Sequence, residues 1–146
     1  MFNQITVAQL MNKKCHVVSP DVTLWQACNK LKTLHVGCLI VVENGNIIGM
    51  FSERDIVHKA IPMRLNVDTS KVRDVMSFPV LTIKPETLAN DALFVSSTRH
   101  LRHIPVVDDA GKLVGLLGIR DLLYQALNQL ISSEDYFDMK KKAANE

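Results

Sequence analysis

The chain carries one pattern twice. Val36-Gly37-Cys38-Leu39-Ile40-Val41-Val42 returns 65 residues on as Leu101-Arg102-His103-Ile104-Pro105-Val106-Val107. Gly49-Met50-Phe51-Ser52-Glu53-Arg54-Asp55 returns 66 residues on as Gly115-Leu116-Leu117-Gly118-Ile119-Arg120-Asp121. The extra residue falls in a turn, where Glu43-Asn44-Gly45-Asn46 faces the longer Asp108-Asp109-Ala110-Gly111-Lys112. Met11 and Met76, Pro20 and Pro85, and Ala27 and Ala92 extend the match upstream. A duplication that keeps both its apolar pattern and its polar punctuation specifies two copies of one folding unit. A unit of about 60 residues buries only a modest share of its surface alone, so the copies are expected to fold as one body. Two copies related by an approximate two-fold leave a pair of equivalent clefts, and function is sought there.

Within the first copy, Val7 to Met11 reads as a turn of helix and Cys15 to Val18 as an extended stretch ending at Pro20. Thr23-Leu24-Trp25-Gln26 has the form of a capping box. The helix it opens is apolar at Leu24, Ala27, Cys28, Leu31 and Leu34, one face of a 3.6-residue period. Two apolar runs, Cys38 to Val42 and Asn46 to Phe51, flank Asn44-Gly45, a strong hairpin signal because both residues tolerate positive φ. Ser52 opens a second helix through Val57 and Ala60. The polar stretch 62–71 reads as a connector. The second copy repeats the order: Val72 to Met76, a strand at Val80 to Ile83, a helix from Leu88 to Thr98, strands at His103 to Val107 and Leu113 to Leu117, and a helix from Ile119. That last helix lines up Leu123, Leu127, Leu130 and Ile131, to cover a core or meet a partner chain. The resulting division is 7–61, 62–71, 72–131 and a polar tail 132–146.

Composition excludes several classes of function. A formal charge of +2, with Lys and Arg scattered apart from Lys140-Lys141-Lys142, argues against nucleic acid. The longest apolar run, Val36 to Val42, is far short of the roughly 18 residues a membrane span needs. The start, Met1-Phe2-Asn3-Gln4, lacks the basic residues of a signal peptide. Cys15, Cys28 and Cys38 are odd in number and form no C-x-x-C pair, so reduced thiols and a cytoplasmic location are expected. His16, His35, His58, His100 and His103 have no acid at ligand spacing on a helical face, so no metal site is indicated. Neither a catalytic acid–base pair nor an activated nucleophile emerges.

The segment from Gly49 to Asp55 bears the chemistry of interest. One reading is structural: Ser52 caps a helix whose third residue is an acid, and Gly118-Ile119-Arg120-Asp121 is a poorer version of the same cap. The other is functional. A helix N-terminus suits a phosphate, an adjacent hydroxyl and arginine add donors, and an outward-facing acid can accept both hydroxyls of a ribose.

G-x-x-S-x-x-D is weak alone, but it follows a hairpin in both copies and an Arg-His-Ile-Pro-Val-Val strand precedes the second. At these residues the chain resembles the tandem cystathionine β-synthase-type (CBS) domain family, the pair known as a Bateman module. The resemblance covers 7–130. It implies an α+β fold of two β-α-β-β-α repeats related by a pseudo-two-fold and packed through their sheets.

The resemblance also implies a regulatory, non-catalytic binder of an adenosyl ligand (AMP, ADP or ATP), with no obligatory cofactor, a separate protein partner and pairing into a homodimer. Carried over, Asp55 and Asp121 bind ribose hydroxyls, Ser52 contacts phosphate, and Arg54 and Arg120 are phosphate partners. Adenine lies against Gly37, Cys38 and Leu39 in one cleft and against His103, Ile104 and Pro105 in the other. The first strand of the opposite copy supplies a wall, placing Ser77 and Val80 with Asp55, and Asn12 and Cys15 with Asp121. Ile40 stands where the family pattern has proline, and Gly118 where it has a hydroxyl. The Asp55 cleft, which keeps its serine, is favoured for phosphate. The alternative is a nucleotide-free interaction module.

Overall fold

The structure, a computed structural model, describes residues 4–130. Ile131, Tyr136, Phe137 and the Lys140–Lys142 run lie outside the described residues. In chain order the elements are α1 (Val7–Leu10), β1 (Val17–Val18), α2 (Leu24–Leu34), β2 (Cys38–Glu43), β3 (Asn46–Ser52) and α3 (Glu53–Asp55), which continues as a π-turn over Ile56–Ala60. A 3-10 turn at Val72–Asp74 is followed by α4 (Ala89–Thr98), β4 (His103–Val107), β5 (Leu113–Gly118) and α5 (Ile119–Leu130).

Local signals position most of these. Thr23 Oγ1 accepts from Gln26 N at 3.2 Å while Thr23 N donates to Gln26 Oε1 at 3.0 Å, so both halves of the predicted capping box form at the start of α2. His35 and His100, equivalent residues, both take φ of 53° just beyond a helix end, the left-handed turn that redirects the chain into the next strand. Asn44 and Gly45, at φ of 50° and 78°, make the hairpin that pairs β2 with β3 antiparallel, Cys38 opposite Ser52 and Glu43 opposite Asn46. In the second copy β4 and β5 pair the same way, His103 opposite Gly118. β1 adds to β2 in parallel, Val17 opposite Ile40. Its counterpart, the strand expected at Val80 to Ile83, reduces to one parallel bridge between Ile83 and Val106. Pro79 and Pro85 bracket this stretch, and proline offers no N–H to a ladder.

The two hydrophobic cores explain why the copies form one body. The first gathers Val18, Leu24, Ala27, Leu31, Leu39, Val41, Phe51 and Ala60, and adds Val72 and Val75 from beyond the connector. The second gathers Ala89, Ala92, Val106, Leu117 and Leu122, and adds Val7 from the start of the chain. Each copy therefore completes its core with the segment that opens the other copy. Backbone pairing follows the same exchange: Asn12 bonds Leu116 in both directions at 2.9 Å, and Ser77 bonds Met50 at 2.8 and 2.9 Å. Glycine makes the approach possible. A Cβ on Gly49 would sit 2.6 Å from Met76 Sδ, and one on Gly115 would meet Met11 Sδ in the same way. Those four positions are among the repeated ones, so the exchange is written into the duplication itself.

Candidate functional site

In both copies the strand-to-helix turn closes identically. Glu53 N donates to Gly37 O at 3.3 Å and Ile119 N to Arg102 O at 2.9 Å, bringing each helix start against the first residues of the neighbouring strand. The two acids are thus placed at equivalent points. Their surroundings differ.

Asp55 is turned inward and only 4% exposed. Its Oδ2 accepts from Ser52 N at 2.8 Å and from Ser52 Oγ at 3.0 Å. Its Oδ1 accepts from Lys59 Nζ at 2.7 Å and from Ser77 Oγ at 2.8 Å. The lysine is equally committed: it also donates to Val75 O at 2.8 Å and Ser77 Oγ at 2.9 Å, which uses all three ammonium hydrogens. Ser77, expected as a wall of the cleft beside Asp55, bonds the acid itself. Ser52, expected to contact phosphate, instead spends its hydroxyl on Asp55. Val80 is half-buried and makes no hydrogen bond to this cluster. A ribose could reach Asp55 only by displacing charge-assisted bonds, each contributing about 1.5–3 kcal/mol.

Asp121 is exposed, and among the described residues its carboxylate accepts no hydrogen bond. Gly118 lets it lie close: a Cβ there would come within 2.9 Å of Asp121 Oδ2 and 3.9 Å of His103 Cδ2. Gly118, a departure in the sequence, thus removes the donor that Ser52 Oγ supplies to Asp55 and lets the acid lie close to the turn. Burial holds His103 below the ordinary histidine pKa; Asp121 and Glu53 oppose that shift, while Arg102 and Arg120 reinforce it. An uncharged imidazole beside a free carboxylate, with two guanidinium groups near, is the result at neutral pH. A groove of about 420 Å³ adjoins this turn, lined by Arg54 of the first copy together with Ser97, His100, Arg102, Ile119 and Leu123.

The remaining predicted residues divide by burial. Leu39 and Ile104 point into the protein interior, and Pro105 is buried, so these offer backbone atoms alone. Cys38 is buried with its thiol pushed up to about 12, chiefly by desolvation, and is no nucleophile. Burial also raises Cys15. Asn12 is anchored by its backbone to β5, but its side chain accepts from Lys14 N at 2.9 Å rather than turning to Asp121. Gly37 carries Glu53 Oε1 directly above it, 2.8 Å from where a Cβ would stand. Arg54 and Arg120 are exposed at the helix starts. No group of three or more His, Cys, Asp or Glu among the described residues is arranged to hold a metal ion. No helix among them is long and apolar enough to cross a membrane.

Sequence reading did not single out Lys59, Glu53 or Arg102. Lys59 had a signal, since an acid and a base four residues apart share a helix face.

Comparison with known proteins agrees with this architecture. The CBS domain model matches residues 7–61 and 72–128. The protein MK0525 of Methanopyrus kandleri is 31% identical over 120 residues, and a 17.7 kDa protein of Acidianus ambivalens is 37% identical over 117. Those alignments cover 82% and 80% of this chain, and the chain spans 61% and 70% of the two relatives. A CBS-domain protein of Burkholderia ambifaria superposes with a TM-score of 0.82 at 24% identity, over 88% of this chain and 98% of that one. The structure of CBSX2 in complex with AMP superposes with a TM-score of 0.71 at 26% identity, over 86% and 98% of the two chains. With two tandem repeats matched in sequence and in fold, the chain belongs to the CBS domain family.

Proposed function

We propose that the chain is a regulatory module that binds an adenosyl ligand at the groove adjoining the Gly118 turn, with Asp121 accepting the ribose hydroxyls. The observation that carries this reading is the exposed Asp121 carboxylate, uncommitted and set against Gly118 and His103. The neutral imidazole of His103 offers a flat face to a purine, and Arg102, Arg120 and Arg54 supply cations for a phosphate. Similarity to CBSX2, whose structure contains AMP, supports this choice of ligand class. Regulation, rather than catalysis, is the reading that membership of the CBS domain family supports. Ligand can act on a protein partner only by favouring one of two conformations. Titration calorimetry with AMP and 2′-deoxy-AMP tests the proposal. The deoxy compound is expected to bind about tenfold more weakly or worse, since losing a hydrogen bond to a charged acceptor forfeits about 1.5 kcal/mol or more. Equal affinities would remove ribose recognition.

A second reading, self-association, rests on a repeated exposed apolar face. Val57 and Ile61 in the first copy match Leu123 and Leu127 in the second; all four are exposed, and Phe94 on α4 is 69% exposed. Light scattering at micromolar protein is expected to give twice the monomer mass; the monomer mass alone would retire this reading.

A further inference from the structure

We infer that Lys59 is an internal occupant of the site at Asp55, an ammonium held where a ligand hydroxyl would otherwise bind, so that the chain takes one adenosyl ligand rather than two. The inference rests on the reading of Asp121 as a ribose acceptor and extends it to the question of why the duplicate site stays closed. Three observations carry it. First, the contacts are saturated on both sides. Asp55 receives donors on each oxygen, and Lys59 Nζ bonds Asp55 Oδ1, Val75 O and Ser77 Oγ. No acceptor capacity of the acid faces solvent, and Asp55 itself is buried. Second, the duplication supplies an internal control. The residue equivalent to Lys59 is Gln125, the same 66 positions on that separate Asp55 from Asp121, and the residue equivalent to Ser77 is Asn12. Neither Gln125 nor Asn12 bonds Asp121, and that acid stays open. Third, the backbone differs where the lysine sits. Ile56–Ala60 forms a π-turn, whereas α5 runs as regular helix from Ile119 through Gln125. Such wider turns occur mostly as single turns within α-helices, frequently at functional sites.

The lysine also binds the exchange segment. Through Val75 O and Ser77 Oγ it ties its helix to the segment that crosses from the second copy, so the closed site at Asp55 and the interlock of the copies are one structure.

Exchanging the two residues tests the inference. Calorimetric titration with AMP is compared for the unchanged chain, Lys59→Gln and Gln125→Lys. The expected result is one AMP per unchanged chain, two for Lys59→Gln, and for Gln125→Lys either none or at least tenfold weaker binding. One AMP for both the unchanged chain and Lys59→Gln overturns the role of Lys59 and leaves Asp121 as the acceptor. So does an unaltered affinity in Gln125→Lys, a change on α5 that leaves the first core untouched. Two AMP on the unchanged chain overturns the inference as well. No binding by the unchanged chain with one AMP gained by Lys59→Gln supports the role of Lys59 and overturns Asp121. Absence of binding in all three overturns both.

Discussion

Asp55 and Asp121 occupy equivalent positions in a duplicated chain, yet one is a structural strut and the other is a free carboxylate. The backbone that delivers them is the same: a hairpin, a strand ending at the helix start, and an N–H from that start to the neighbouring strand. Three side chains set them apart. Ser52, Lys59 and Ser77 surround Asp55, and Gly118, Gln125 and Asn12 stand in their places around Asp121. In the proposed reading, a binding site and a cap are two uses of one motif. Which use prevails is decided by whether neighbouring donors reach the acid first.

The largest expected effect that would break this comparison is on stability. Asp55→Ala leaves Lys59 without its counter-ion and is expected to destabilise by about 2–3 kcal/mol. That lies below the 3–5 kcal/mol range for a fully buried pair, because Lys59 is 38% exposed and regains hydration. Asp121→Ala loses only a helix-terminal charge and is expected to change stability by less than about 1 kcal/mol. Urea unfolding of both variants measures the difference; equal losses would mean that Asp121 is also a strut.

Next comes the interlock. Gly49→Val and Gly115→Val drive branched side chains into Met76 and Met11, and each is expected to destabilise by about 1–3 kcal/mol. Here the copies should behave alike, since the contact is duplicated. Thermal unfolding that shows only one of the two changes to matter would break the symmetry assumed for the scaffold.

The smallest effect concerns His103. Its folded pKa is lowered below 6.5, chiefly by burial, so the folded state binds fewer protons than the unfolded state in that range. The contribution is present above about pH 6.5 and is lost as pH falls through the unfolded value toward the folded one. His103→Gln is therefore expected to flatten the fall in stability between neutral and mildly acidic pH. An unchanged pH profile would mean that the imidazole is not desolvated.

Much of the fold was legible because the duplication repeats local signals that act over a few residues. Asn44-Gly45 and Thr23 to Gln26 specify a turn and a cap whatever surrounds them. The weak strand before α4 was not legible in the same way, since its apolar residues favour extension while Pro79 and Pro85 remove the donors that pairing needs. At the site, the sequence placed the two acids and drew Ser77 to Asp55. It also favoured the Asp55 cleft on the strength of its serine. In the fold that serine bonds the acid in the cap that the structural reading described, and Lys59 and Ser77, the latter from 22 residues away, take the other oxygen. Competition among donors brought together by tertiary structure is not visible in a motif. The missing hydroxyl at Gly118, by contrast, was in plain view, and with it goes one of the donors that Asp55 has and Asp121 lacks.

The most direct test of the central claim is AMP affinity measured side by side for Asp121→Asn and Asp55→Asn. The account predicts a loss of about ten- to a hundredfold in Asp121→Asn, equivalent to about 1.4–2.8 kcal/mol. Asp55→Asn, by contrast, should keep its affinity while melting at a lower temperature. Loss of AMP binding in Asp55→Asn with full binding in Asp121→Asn would contradict it.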